Sequence, residues 1–172
     1  MYSVDNQDRV VELKDVPQPD VGAPFPLVIS DEHVTLLAYT TQGEPFSFDG
    51  RVLTDADMET FVEELALIEF RPCQSYMFGA PNDEAFDAHP LASRGLQPYG
   101  VFEIENSSWI RQLEQMNSVH PLHRGGWLQR VRHFVFAFHD STFECVARNF
   151  TVSKHSGPLE SLLTEMQRRL QS

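Results

Sequence analysis

The chain has 172 residues, of which 41% are hydrophobic and 11% aromatic, a composition typical of a globular protein rather than a disordered one. Its 25 acidic and 13 basic residues give a net charge of −12 at pH 7, and such a field opposes binding to nucleic acids and to anionic membranes. The sequence shows no secretory signal and no apolar run of about 18 residues that would span a membrane, so we expect a cytoplasmic protein.

The acidic residues are concentrated in the first half of the chain. Residues 1–91 contain 18 acidic and 4 basic residues, a net charge of −14, whereas residues 92–172 have a net charge of +2. The negative electrostatic field of this half favours binding of a basic protein partner and increases the rate of association with it. Alternatively, the acidic surface only keeps the protein soluble.

The first half of the chain predicts mainly strands. Residues 1–9 are expected to form a loose polar start, and four prolines between positions 17 and 26 an extended connector. Apolar residues at helical spacing predict a helix over about residues 55–68. Strands are predicted over residues 10–16, 27–30, 34–40 and 74–78.

The second half predicts two further helices around a β-hairpin. A strand over residues 99–104 precedes a helix over about 107–117, which Asn106 or Ser107 caps. The last helix covers about residues 158–170 and has a proline at its first helical position.

The β-hairpin is predicted over residues 132–152. Its aromatic residues alternate at the strand period of two, and the polar cluster 139–142 predicts a turn centred on Asp140-Ser141. With Phe138 opposite Phe143, one apolar face contains Phe134, Phe136, Phe138, Phe143, Cys145 and Ala147. On the other face, the same register makes His139 and Glu144 diagonal neighbours.

The order of these elements predicts an α+β fold in a single domain. We expect a mainly antiparallel sheet, which includes the hairpin and is covered by about three helices. Cys73 and Cys145 lack the spacing of a metal site and are expected to be buried free thiols.

The residues His139, Asp140 and Glu144 are the main candidates for catalysis. An imidazole beside a carboxylate can act as a general base or, held by that carboxylate, as a metal ligand. In the structural alternative, Asp140 stabilises the turn and Glu144 pairs with Arg148 on the same strand.

A second polar group contains Asn82, Asp83 and Glu84, at the start of a short helix predicted over residues 81–88. These side chains can bind a cation or act as general acid and base. Equally, acidic residues in a first helical turn stabilise unpaired N–H groups and the helix dipole. His89 follows in a loop and can join a cluster of histidines.

The residues His120 and His123 form a third candidate, with the spacing HxxH, after the second predicted helix. Together with His139 and Glu144 they are candidate ligands of a divalent metal ion. The motif lacks the HExxH context that supplies a base and a helix face. The sequence also contains no Gly-x-Ser-x-Gly elbow and no glycine-rich phosphate loop.

Three functional hypotheses follow from these patterns. The first is a small acidic interaction protein that docks a basic protein partner, in the manner of an inhibitor or an immunity protein. The second is a metal-assisted hydrolase or acid–base enzyme with its site at the hairpin turn. The third is a small-ligand binding module with its pocket on the mixed face of the hairpin.

Overall fold

The computed structural model describes residues 2–42 and 64–171, which form nine strands and two α-helices. The helices are α1 (Ser108–Asn117) and α2 (Leu159–Leu170), and 3-10 turns lie at Phe86–Ala88, Ala92–Arg94 and Trp127–Arg130. The strands are β1 (Arg9–Glu12), β2 (Leu27–Ser30), β3 (Thr35–Thr40), β4 (Glu64–Phe70), β5 (Cys73–Gly79), β6 (Gly100–Glu105), β7 (Arg132–Ala137), β8 (Thr142–Ala147) and β9 (Phe150–Ser156).

These strands form two antiparallel sheets that pack face to face. The first sheet has the order β1-β6-β7-β8-β5, and the second has the order β2-β3-β4-β9. All six residues predicted for the apolar hairpin face are buried between the sheets. They pack against inner residues of the second sheet, namely Leu37, Tyr39, Ala66, Ile68 and Phe70. Burial of this aromatic surface is what drives the two sheets together.

Each sheet also buries its outer face against a helix. Helix α1 contributes Trp109, which belongs to one apolar cluster with Val135 and Val146 of the first sheet. Helix α2 places Leu162 and Met166 against the second sheet. The layers therefore follow the order helix, sheet, sheet, helix.

The α+β class with antiparallel strands is confirmed, but two details of the prediction are wrong. The described residues form two sheets instead of one, and they contain two α-helices instead of about three. The helix predicted over 55–68 lies partly outside the described residues, and its last part is the start of strand β4. This strand is almost continuously apolar because both of its faces are buried, and a helical spacing can be found in such a run.

The N-terminal segment, for which the sequence predicts a loose polar start over residues 1–9, makes two buried contacts within its described part. Tyr2 and Asp8 are buried, and β1 begins at Arg9. The Asp8 carboxylate accepts a hydrogen bond from the Ser108 N–H at 2.6 Å, at the first turn of α1. The segment therefore belongs to the layer that covers the outer face of the first sheet.

The β7–β8 hairpin is confirmed, with a register that differs by two residues from the predicted one. Phe136 lies opposite Phe143, and the Phe138 N–H donates to the Ser141 carbonyl at 2.9 Å. The turn is therefore centred on residues 139–140, one residue earlier than predicted.

A shift of two residues keeps every side chain on its predicted face, because side chains alternate with a period of two. It does change the neighbours of Glu144. Val135 now lies opposite Glu144, and His133 rather than His139 is its diagonal neighbour on this face. The second arm is also shorter than predicted, since β8 ends at Ala147 and the chain continues as β9 in the second sheet.

We expect Phe70→Ala to lower the free energy of unfolding by about 3–5 kcal/mol, because the lost ring leaves a cavity between two packed sheets. The ring centroid of Phe70 lies between 5.6 Å and 6.0 Å from those of Phe134, Phe136, Phe143 and Phe150. Urea denaturation followed by circular dichroism measures the loss. The control Phe25→Ala removes a ring that is 62% exposed, and equal losses in both variants would contradict this core.

Candidate functional site

The Glu144 side chain lies at the centre of a buried polar cluster on the outer face of the first sheet. Its Oε2 accepts a hydrogen bond from the Tyr2 hydroxyl at 2.7 Å and lies 2.9 Å from Nε2 of His133. Its Oε1 lies 3.1 Å from Nε2 of His89. Both histidine side chains are fully buried, and the Glu144 side chain is 5% exposed. We refer to these four residues as the Glu144 cluster.

The backbone determines which nitrogen of His89 carries the proton. The Leu91 N–H donates to Nδ1 of His89 at 3.1 Å, so Nδ1 is unprotonated and Nε2 donates to Glu144. If a metal ion were bound at Nε2, the ring proton would have to be on Nδ1, where it would face the N–H of Leu91. The arrangement therefore suits a hydrogen-bonded carboxylate better than a metal ion.

The hydroxyl of Ser107 connects the cluster to helix α1. Its Oγ lies 2.9 Å from Nδ1 of His133 and, as the N-cap, accepts the Ile110 N–H at 3.3 Å. The rings of Tyr2 and Trp109 contact the His133 ring edge-on, with centroids at 5.4 Å and 5.1 Å. These contacts hold the imidazole in one orientation toward Glu144.

Three residues of this arrangement were not predicted as site residues, namely Tyr2, Ser107 and His133. A signal for His133 existed, since it lies two residues before Val135 and therefore on the face that carries Glu144. The predicted register, with Phe138 opposite Phe143, places His133 opposite Arg148 instead. Tyr2 carried no local signal, because its place depends on stacking against Trp109, at a centroid distance of 5.4 Å.

The hairpin turn brings together a second group of the predicted residues. Nδ1 of His139 lies 3.0 Å from Oδ1 of Asp140 and 3.9 Å from Oδ1 of Asp83. The Asp83 N–H donates to the His139 carbonyl at 2.8 Å, which joins the loop after β5 to the turn. The hydrogen bond with Asp140 raises the pKa of His139 and outweighs the opposing effect of desolvation, and the charges of Asp83, Asp140 and Glu84 add to the rise.

The side chain of Tyr99 completes this turn site. Its hydroxyl donates to the Asp83 carboxylate, an interaction that raises the pKa of Tyr99 to about 12. Its ring lies edge-on to His139, with a centroid distance of 6.1 Å. The backbone of Tyr99 has a φ of 62°, a left-handed conformation that is costly for a residue other than glycine and occurs often at functional sites.

Three carboxylates, those of Asp83, Glu84 and Asp140, act on His139 at this turn, and Asp87 follows in the 3-10 turn of the same loop. We refer to these four residues as the acidic end. Glu84, Asp87 and Asp140 are exposed. As in the structural alternative, Asn82 accepts the Ala85 N–H at 3.1 Å and Asp83 accepts the Glu84 N–H at 2.8 Å. An open cleft of about 460 Å³ beside them is lined by Gly79, Ala80, Pro81, Asn82, Ala85, Ala88 and Asp140.

The candidate metal ligands bind separate partners. His120 is exposed and accepts the Leu122 N–H at Nδ1, whereas Nε2 of His123 lies 3.0 Å from Oε1 of Glu114. Within residues 2–42 and 64–171, no group of three or more His, Cys, Asp or Glu side chains could hold a metal ion. The catalytic roles of His139, Asp140 and Glu144 stay predictions, and the structure places Glu144 in a different cluster from the other two.

Comparison with protein-family models, curated proteins and solved structures finds no match to the chain. Neither of the two described α-helices combines the length and the apolar character needed to cross a membrane. Function is therefore inferred from the geometry and chemistry of the sites themselves.

We expect Glu144→Gln to weaken the dependence of stability on pH between pH 4.5 and 2. Burial raises the pKa of the Glu144 carboxyl, but hydrogen bonds from His133, His89 and Tyr2 outweigh this effect and hold the pKa at about 2. Because the folded pKa lies below the ordinary value of 4.5, the carboxylate stabilises the fold above pH 4.5, and this stabilisation is lost as the pH falls toward 2. The contribution is about 3 kcal/mol.

Urea denaturation at a series of pH values measures this effect. The control Glu32→Gln removes an exposed carboxyl between β2 and β3. Equal changes of slope in the two variants would contradict a special contribution of the buried carboxylate. If Glu144→Gln does not fold, Tyr2→Phe removes one of the three hydrogen bonds and should cost about 1–3 kcal/mol at pH 7.

We expect the pKa of His139 to lie above its ordinary value and to fall in the variant Asp140→Asn, because the largest favourable contact of the imidazolium is lost. Titration of the His139 ring protons by NMR measures both values. Asp15→Asn, which removes an exposed carboxylate next to β1, is the control. An unchanged pKa in Asp140→Asn would show that the turn does not hold the two side chains together.

Proposed function

We propose that this chain is a protein-interaction module that docks a basic protein partner at the acidic end. The observation that carries the proposal is the concentration of carboxylates around the hairpin turn, beside an open cleft and exposed aromatic side chains. In the described residues, no lysine or arginine forms an ion pair with Glu84, Asp87 or Asp140.

Elsewhere on the surface of the described residues, some acidic side chains are paired with arginines, whereas others, such as Asp15 and Glu32, form no ion pair. The carboxylates of Glu69, Glu103, Glu105 and Glu165 each form an ion pair with an arginine. At the acidic end, the only basic side chain in the described residues that lies within ion-pair distance of a carboxylate is the imidazole of His139. Carboxylates that lack a cation of their own attract one from a partner, and the net charge of −12 adds a long-range attraction.

The acidic end also offers apolar contact area, which a docking surface needs in addition to charge. Phe78 is 45% exposed and directly precedes Gly79, the first residue of the open cleft. Aromatic side chains next to a polar rim are typical of the residues that contribute most to binding energy in interfaces.

The environment of Glu144 is a reason to prefer this proposal to an acid–base enzyme at the hairpin turn. A general base must reach its substrate, whereas the Glu144 carboxylate is 5% exposed and is occupied by three hydrogen-bonding partners. The two cysteines are both free, which supports the proposal that the protein works in a reducing compartment such as the cytoplasm.

We expect the triple variant Glu84→Gln, Asp87→Asn, Asp140→Asn to bind a basic probe about tenfold more weakly than the unchanged protein, since three attracting charges are lost. The probe is a fluorescein-labelled peptide of about ten lysines, titrated by fluorescence anisotropy at low ionic strength and again at about 0.2 M salt.

The matched control changes the same number of charges away from the acidic end. It is the triple variant Glu12→Gln, Asp15→Asn, Glu32→Gln, whose residues are exposed. We expect this control to weaken binding much less. Equal weakening in the two triple variants, or no binding of the probe at low salt, would overturn the proposal.

A further inference from the structure

The edges of the two sheets differ in how well they are protected from further strand pairing. The described edge strands are β1 and β5 in the first sheet and β2 and β9 in the second. Natural proteins protect such edges with charged residues, prolines, bulges or short strands. Strands β1 and β2 have four residues each, and β9 contains Lys154.

Strand β5 lacks most of this protection. Its seven residues, CQSYMFG, contain no charged residue and no proline, and its one irregularity lies at its start, between Cys73 and Ser75. In the described residues, its only strand neighbour is β8. The N–H of Cys73 donates to the His33 carbonyl at 3.4 Å. Beyond this residue, and as far as the described part of the chain shows, the other side of β5 presents backbone N–H and C=O groups that a further strand can pair with.

The inner face of β5 adds an apolar surface to this edge. Tyr76 and Phe78 are 43% and 45% exposed, although their ring centroids lie only 6.0 Å and 6.4 Å from that of the buried Phe143. They continue the aromatic core beyond the part that the second sheet covers. A strand next to β5 would place every second side chain beside these two rings.

The outer face of β5 leads to the acidic end. Met77 points to this face and packs in one apolar cluster with Phe86, which belongs to the loop after β5. The same loop carries the exposed carboxylates Glu84 and Asp87. The remaining side chains of an added strand would face this loop, so basic residues are favoured at those positions.

We propose that the basic partner binds through an extended segment that adds to the first sheet as a strand along β5. The segment alternates apolar residues, which contact Tyr76 and Phe78, with lysines or arginines, which face the loop of the acidic end. This inference rests on the proposed function and specifies the shape and the sequence pattern of the partner.

A second copy of this chain is a poorer occupant of the same edge. Each copy has a net charge of −12, so the net charges of two copies oppose their association. A segment rich in lysine or arginine is attracted by the same field that opposes self-association.

The test uses an alternating peptide of about nine residues, valine at odd and lysine at even positions, labelled with fluorescein and titrated by anisotropy. Two further peptides carry methyl groups on backbone nitrogens, one peptide at the valines and the other at the lysines. In a strand, neighbouring N–H groups point to opposite sides, so only one of the two methylations removes the groups that pair with β5. We expect one methylated peptide to bind at least about tenfold more weakly than the parent and the other to bind almost as well.

Two protein variants examine the apolar contact. The double variant Tyr76→Ser, Phe78→Ser should weaken the alternating peptide about tenfold and leave the lysine peptide unchanged, because only the former places apolar side chains on these rings. Phe25→Ser, at an exposed phenylalanine that precedes β2, is the control and should affect neither peptide.

The outcomes separate this inference from the proposed function. If the triple variant at the acidic end weakens both peptides, but the two methylations have equal effects, strand addition is overturned and docking of a basic partner stands. If neither peptide depends on the acidic end, both are overturned. Sedimentation that shows a dimer of the unchanged protein, lost in the Tyr76 and Phe78 double variant, would assign the edge to a second copy instead.

Discussion

The buried carboxylate of Glu144 needs hydrogen-bond donors, and these donors come from parts of the protein that are distant in the sequence. Glu144 lies on β8, and its donors come from the N-terminal segment, from the loop after β5 and from β7. A buried charge without donors is very unfavourable, so each of these segments has to be in place for the others to be stable. Through His133 and Ser107 the same requirement extends to the start of α1.

The opposite face of the hairpin carries a different kind of constraint. There the two sheets meet through aromatic rings, and Phe70 contacts four phenylalanines of the interface. The first sheet is therefore apolar toward its partner sheet and polar at the centre of its outer face. The alternation of side chains along β8 produces both properties, since Phe143 and Cys145 point inward and Glu144 points outward.

The elements that could be predicted from the sequence are those with a clear period or a clear cap. Strand β2 has its predicted bounds, and both helices of the second half of the chain agree to within one residue. The apolar face of the hairpin was predictable because any register shift of two residues preserves it. The helix predicted over 55–68 failed where the chain becomes β4, since a strand buried on both faces has no alternation to reveal it.

The candidate sites show the same division between local and long-range information. The contact between His139 and Asp140 is local and could be anticipated, whereas the partners of Glu144 depend on a register that differs by two residues from the predicted one. Tyr2 and His89 reach Glu144 from 142 and 55 residues away in the chain. No pattern in their own neighbourhoods indicates that contact, because only the assembled outer layer creates it.

The reactivity of the Cys73 thiol offers a chemical way to detect a strand bound at the edge of β5. Cys73 begins this strand and is partly exposed, and a hydrogen bond from the buried Cys145 thiol lowers the pKa of Cys73 to about 7 in spite of desolvation. The thiolate is the reactive form, so a substantial fraction of this side chain can be alkylated near neutral pH. An added strand that extends to the start of β5 would slow alkylation at this one sulfur, so the rate would show how far along the edge such a strand reaches.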